Sequence, residues 1–246
     1  MNKQPCEPSL GADVEWFLYD AEDKNIVPAC GLIGGTKEKP LPIGGRGYMV
    51  QEDNVMVEWN VPATHRWNNF ANSISNAIGY VNDHLYDMYE ERYNIVCRSG
   101  HKFLVSQLRS EQAQTFGCEP DNDAYVGGEM RQMREGIMGN YRSCGGHIHF
   151  GGDFQCPDFV AALFAELFIG VIAGVVSPKS PRKEWYGLPG IFRSKPYGIE
   201  YRSPDATWSD DRHLTELIGM YGMRCSEFLT NKSATQLRNT FRQMPW

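Results

Sequence analysis

Four short segments of the sequence alternate strictly between charged or polar and apolar residues, which is the pattern of strands whose two faces differ. Because successive side chains of a strand point to opposite faces, each segment collects its charged residues on one face. We therefore expect an α+β fold: a mainly antiparallel sheet, helices on its outer apolar face, and a funnel lined by charged groups on the other. The charged or polar positions are Asp13, Glu15, Glu58, Asn60, His147, His149, Glu200 and Arg202.

Alternation in any single segment is also typical of an ordinary sheet with one solvent-exposed face. The four segments together carry acids, imidazoles and an arginine, and crowded carboxylates take up protons unless a positive charge lies between them. Oxygen ligands from Glu15, Glu58 and Glu200 suit Mg²⁺ or Mn²⁺ better than zinc, and one imidazole is tolerated. Such a site favours binding of a nucleoside triphosphate.

Helical spacing of apolar residues predicts a long helix over 64–93. Two more helices are expected over 158–176 and about 210–230. Segments rich in Gly, Pro, Asp and Arg over 117–143 and 177–197 are expected to be loops. The expected strands, which include the four alternating segments, are 11–20, 25–33, 48–50, 55–60, 101–108, 145–150 and 198–202.

The composition excludes several classes of protein. A chain of 246 residues, 41% hydrophobic, can form one compact domain over 1–246. A net charge of −6 without a basic stripe argues against nucleic acid as a partner. Seven cysteines without CxxC spacing indicate reduced thiols, and no signal segment is visible, so we expect a cytoplasmic protein. The apolar run 159–176 is expected to be a buried helix rather than a membrane span.

Six segments, in this order, resemble the phage-encoded amidoligases called COOH–NH2 ligase type 2, of the glutamine synthetase and glutamate–cysteine ligase superfamily. They are GADVE at 11–15, GGTKEKP at 34–40, EDNVMVEWN at 52–60, GCEPD at 117–121, GGHIHFG at 145–151 and YGIEYRSPD at 197–205. The resemblance implies activation of a carboxylate by ATP with Mg²⁺ or Mn²⁺, and attack of an amine on the acyl phosphate. It also implies small-molecule or peptide substrates, the host cytoplasm as location, and a homo-oligomer as one option.

The resemblance assigns roles to individual residues. Metal ligands would be Asp13, Glu15, Glu58, His147 and Glu200, while nucleotide contacts would come from Lys37, His149, Arg193 and Arg202. Arg202, Glu200 and Glu58 would act in catalysis, with Arg202 neutralising the transferring phosphoryl group. Some candidate site residues are also consistent with a purely structural role in a turn, on the surface or in the core: Glu52, Asp53, Lys39, Asp121, Asp123, Cys118 and Cys144. Further candidate anion ligands are Arg134 and Arg142.

Two other functions stay open from the sequence. The HxH pattern also occurs in zinc hydrolases, although the one later histidine, His213, begins a predicted helix. A non-catalytic phage or virion protein could keep a ligase fold, since a fold does not fix a function.

Overall fold

The computed structural model describes residues 6–115, 121–131, 139–176, 182 and 187–243. Arg134 and Cys118 lie outside these residues. The strands are β1 Ser9–Asp20, β2 Asn25–Val27, β3 Leu41–Pro42, β4 Met49–Asp53, β5 Met56–Thr64, β6 Tyr93–Val96, β7 Gly100–Lys102, β8 Asp121–Asp123, β9 Glu129–Arg131, β10 Tyr141–Ser143, β11 Gly146–Gly151, β12 Ile191–Lys195 and β13 Gly198–Tyr201. The α-helices are α1 Trp67–Tyr89, α2 Glu111–Gln114, α3 Asp158–Ala165, α4 Val171–Val176, α5 Arg212–Asn231 and α6 Ala234–Gln243.

An open antiparallel sheet dominates the fold. Its strand order is β3-β4-β5-β1-β11-β13-β12-β8-β9, and β2 and β6 extend it by pairing with β1. β1 lies at the centre, between β5 and β11. The four alternating segments are therefore four adjacent strands, β5, β1, β11 and β13, as the sequence predicted.

The helices pack on the apolar face of the sheet. α1 buries Phe70, Ile74, Val81 and Leu85, the residues that recur at helical spacing in the sequence. α5 lies across β1 and β11, and a Cβ at its Gly222 would contact Leu10 and Phe150. Because the described α-helices pack on the apolar face, the charged side chains of the four strands share the opposite face.

Some predicted boundaries were wrong. The expected strand 101–108 ends at Lys102 and gives way to a 3-10 helix over Val105–Leu108, and the strand expected over 25–33 ends at Val27. The two segments expected to be loops contain β8, β9, β10 and β12. These strands have only 3 to 5 residues, which is too short for alternation to stand out.

The apolar run 159–176 is helical but only partly buried. Its first half, α3, contributes Ala161, Leu163 and Phe164 to the core, and a π-helical turn, Glu166–Gly170, joins it to α4. By length and composition this helix could cross a membrane: the window Asp158–Val175 has a mean hydropathy of 2.1, and 39% of it is buried. Val171 and Val175 are exposed.

Close packing where β11 begins generates a stability prediction. A Cβ on Gly146 would overlap with the Trp208 indole nitrogen and the Asp205 carbonyl, whereas a Cβ on Gly79 of α1 would meet nothing within 4 Å. We expect Gly146→Ala to lower the free energy of unfolding by about 1–3 kcal/mol in urea titrations. Gly79→Ala is the matched control and should raise it by about 0.5–1 kcal/mol. Equal effects of the two substitutions would contradict this packing.

Candidate active site

Strand register brings the predicted site residues together on one face. Glu15 lies opposite Glu58, and Asp13 lies opposite His147. His149 lies opposite Glu200, which lies opposite Arg193 on its other side. Directly opposite side chains have Cβ atoms about 4.5–5.5 Å apart, so the charges form rows across five strands.

Three ligand groups converge where β1, β11 and β13 meet. One ligand atom each from Asp13, His149 and Glu200 lies within 4.8 Å of the others. The Nε2 atom of His149 is 2.9 Å from the Asp13 Oδ2 atom, yet this buried nitrogen has no partner with hydrogen-bond geometry in the described part of the chain. Asn60 donates to the other oxygen of Asp13 at 2.8 Å. Two carboxylates and one imidazole nitrogen fit a hard divalent cation.

A second acidic group lies beside the first, on β1, β5 and β4. Burial, and then repulsion from Asp53, raises the pKa of Glu15 to about 7. Burial raises the pKa of Glu58 well above its ordinary value, and Asp13, Asp53 and Glu15 raise it further. Burial also raises the pKa of Asp53, although Lys37, Arg202 and Arg193 oppose this. A cation bound beside these carboxylates would favour their ionised forms and lower their pKa values.

His147 lies between two arginines, and its Nδ1 atom is also 3.7 Å from the Glu200 Oε1 atom. Its Nδ1 atom is 3.2 Å from a guanidinium nitrogen of Arg202, and its Nε2 atom is 3.3 Å from one of Arg182. Burial, and then the charge of Arg202, lowers the pKa of His147 well below its ordinary value. The ring is therefore neutral at pH 7. These contacts favour His149 over His147 as the imidazole that joins the carboxylates.

The basic side of the face is a network of ion pairs. Glu200 contacts the guanidinium of Arg202, and Lys195 is 2.7 Å from the Glu200 Oε2 atom. Burial alone would raise the pKa of Glu200, but Arg202 leads the nearby charges that lower it overall. Asp121 pairs with Arg193 at 2.9 Å and with Arg202 at 3.1 Å. Both arginines thus have fixed positions beside the acids.

Sequence reasoning missed Arg182 and Lys195. Arg182 is 2% exposed and donates to the Ser143 hydroxyl as well as to His147. It comes from a segment rich in Gly, Pro and Lys, where no periodic pattern marks a side chain that turns inward. Lys195 is the last residue of β12. It lies two positions after Arg193 and therefore on the same face of the strand, and this spacing is the signal that could have identified it.

Several candidates have other roles in the structure. Glu52 accepts hydrogen bonds from the backbone amides of Gly31, Ile33 and Gly34, so it holds a loop. Arg142 was wrong as an anion ligand, because it donates to Asn54 and to the carbonyls of Ala113, Gly139 and Tyr141.

The remaining candidates divide between turn, core and surface. Asp123 accepts a hydrogen bond from the Tyr125 amide, as expected for a residue in a turn. Cys144 is buried in the core. Lys37 and Lys39 are exposed, and the charge of Lys37 reaches Asp53. His213 lies in the first turn of α5.

Residues 123–223 match the family described as phage phiEco32-like COOH.NH2 ligase-type 2. This match confirms the resemblance stated from the motifs, and the family's name supports a carboxylate–amine ligase. The matched segment includes His147, His149, Glu200 and Arg202, whereas the acids of β1, β4 and β5 precede it. No curated protein was found to be similar to the chain.

The buried acids generate a prediction about pH. Without divalent cations, the pKa of Glu15 in the folded protein is about 7, whereas the ordinary pKa of a glutamate is 4.5. The folded state therefore binds more protons than the unfolded state in this interval, and the free energy of unfolding should fall as pH rises from about 5 to 8. We expect Glu15→Gln to reduce this fall by about 1–3 kcal/mol in urea titrations with EDTA.

The matched control removes a carboxylate from the surface. Glu91→Gln changes an exposed residue that follows α1, and it should leave the pH profile unchanged. An identical profile in wild type and Glu15→Gln would show that Glu15 is not protonated in the folded state.

Proposed function

We propose that this protein is an ATP-dependent carboxylate–amine ligase that forms an amide through an acyl phosphate and releases ADP. The observation that carries the proposal is one sheet face on which Asp13, His149 and Glu200 converge, with further acids on one side and arginines on the other. The family match adds a ligase of this class. The substrates are then a carboxylate and an amine. Because the proposed reaction consumes ATP, we propose that the protein acts in the cytoplasm.

The acidic side of the face suits a divalent cation, Mg²⁺ or Mn²⁺. Asp13, His149 and Glu200 would hold one ion. The buried Nε2 atom of His149, which among the described residues has no partner with hydrogen-bond geometry, supports this assignment. Glu15, Glu58 and Asp53 form a second acidic position. When bound, such an ion neutralises phosphate oxygens of ATP.

The basic side would bind the phosphoryl group in transfer. The substrate carboxylate oxygen attacks the γ-phosphorus, the bond to the β,γ-bridging oxygen breaks, and ADP leaves. Arg202 carries its charge at this point, and Asp121 holds its guanidinium at 3.1 Å. Arg182 adds a second guanidinium across the neutral His147. Fixed donors stabilise charge that develops in the transition state without reorganising first.

The second step needs little covalent chemistry from the protein. The amine nitrogen attacks the acyl carbon, the bond to the phosphate oxygen breaks, and inorganic phosphate leaves. A carboxylate with a raised pKa is a stronger base, so in its ionised form it can accept the proton released by the amine, and Glu58 and Glu15 are buried carboxylates with raised pKa values. Lys37 and Arg193, at the edge of the acidic group, would contact the phosphates.

The alternatives predict different chemistry. A zinc hydrolase needs several nitrogen ligands, and the ligand group found among the described residues contains one imidazole and two carboxylates. A non-catalytic phage or virion protein that keeps the ligase fold would bind neither ATP nor metal. ATP binding in the presence of Mg²⁺ separates the ligase from both.

The proposal is tested by binding and then by trapping. A ligand that binds only the folded state raises the melting temperature, so ATP with Mg²⁺ should raise it and EDTA should abolish the rise. Hydroxylamine would then replace the amine while a panel of carboxylates is screened, because it converts an acyl phosphate to a hydroxamate. Mg²⁺-dependent ADP release with hydroxamate formation is expected; no ATP-dependent shift at saturating ATP would refute the ligase.

Substitutions locate the activity. Asp13→Asn and Glu200→Gln should each lower the rate of ADP release about 100-fold or more, because each removes a charge from the proposed cation site. Asp87→Asn, on exposed residue 87 of α1, is the matched control and should retain the full rate. Wild-type rates in both site variants, measured by a coupled ADP assay, would show that this face is not the active site.

A further inference from the structure

The turn between β12 and β13 reaches back to the candidate cation site. It carries Tyr197, whose hydroxyl is 2.6 Å from the Nδ1 atom of His149. The two rings are nearly parallel, with centroids 5.8 Å apart and an interplanar angle of 14°. The Tyr197 carbonyl accepts a hydrogen bond from the Gly152 amide at 3.0 Å, so the turn is fixed against the end of β11.

Glycine makes this close approach of turn and strand geometrically possible. Gly198 has φ of 145°, and a Cβ there would overlap with the carbonyl of Phe150. The same turn begins at Lys195, which contacts Glu200. Two of the three converging ligand groups are thus contacted by residues of this one turn: His149 by Tyr197, and Glu200 by Lys195.

The two nitrogens of His149 have different surroundings. If Nε2 carried the ring proton, it would be expected to donate to Asp13, but the 2.9 Å approach lacks hydrogen-bond geometry. If Nδ1 carries the proton, it donates to the Tyr197 oxygen, and Nε2, which is 2.9 Å from an oxygen of Asp13, keeps its lone pair for a cation. A metal-bound imidazole nitrogen must have this lone pair, and the partner of the other nitrogen decides which tautomer is present.

We propose that Tyr197 is a positioning residue that fixes the Nδ1–H tautomer and the ring orientation of His149, so that Nε2 can bind the divalent cation. This inference rests on the cation site of the proposed function. It also explains why a tyrosine from a hairpin turn lies at the charged face, 37% exposed and with its ring nearly parallel to an imidazole.

The first test measures metal affinity. Mn²⁺ binding is followed by electron paramagnetic resonance in the absence of ATP, in wild type and in Tyr197→Phe, which keeps the ring but removes the hydroxyl. Loss of the partner of a ligating histidine typically weakens metal binding about 10- to 100-fold, and we expect a Kd higher by that factor. Tyr86→Phe, which removes the hydroxyl of an exposed tyrosine on α1, should leave the Kd unchanged.

The second test needs no metal. Nitrogen-15 resonances of His149, assigned with the His149→Ala variant, should show the Nδ1–H tautomer in wild type and a mixture of tautomers in Tyr197→Phe. A role of Tyr197 in packing alone would leave these resonances unchanged.

The outcomes separate the two proposals. Normal Mn²⁺ binding in wild type with the same Kd in Tyr197→Phe would overturn the role of Tyr197 and leave the ligase proposal standing. A wild-type protein that binds no Mn²⁺ would overturn both, and unchanged tautomers in Tyr197→Phe would overturn the positioning role in either case.

Discussion

The antiparallel pairing of β1 with β11 is the constraint on which the rest of the site depends. Its register places Asp13 opposite His147 and Gly11 opposite His149, and the row of His149 continues to Glu200 and Arg193. A slip of one residue would turn the charged side chains of one strand into the apolar core. The apolar partners on the opposite face, Leu10 with Phe150 and Ala12 with Ile148, oppose such a slip because they are fully or almost fully buried.

Charge is distributed across the sheet as a gradient. β4, β5 and β1 contribute carboxylates whose pKa values burial and mutual repulsion raise. β12 contributes Arg193 and Lys195, and Arg202 directly follows β13. β11, with its two histidines, lies between the two sides. A cation is favoured on the first side and an anion on the second, so a metal-bound triphosphate matches the gradient as one ligand.

Alternation was enough to predict the acidic side of the face and the central strands. The strands that carry it are 4 to 12 residues long and pair with their neighbours, so the period of two appears in the sequence as it does in space. Alternation places His147 and His149 on the same face, and only the resemblance gave them different roles, with the metal assigned to His147 and the nucleotide to His149. Their difference comes from partners far along the chain: arginines for one, Asp13 and a tyrosine for the other.

Residues from turns and irregular segments were the ones that sequence reasoning could not place. Glu52 was an additional acidic candidate with a turn residue as its alternative, and hydrogen bonds from three backbone amides and the Gln112 side chain lower its pKa against the effect of burial. Tyr197 looked like a turn residue and reaches the imidazole. A strand fixes the direction of its side chains through its own period, whereas a turn takes that direction from the tertiary contacts it makes. The orientation of His149 is therefore a property of the folded hairpin, and a change in that turn can alter cation binding without changing any ligand.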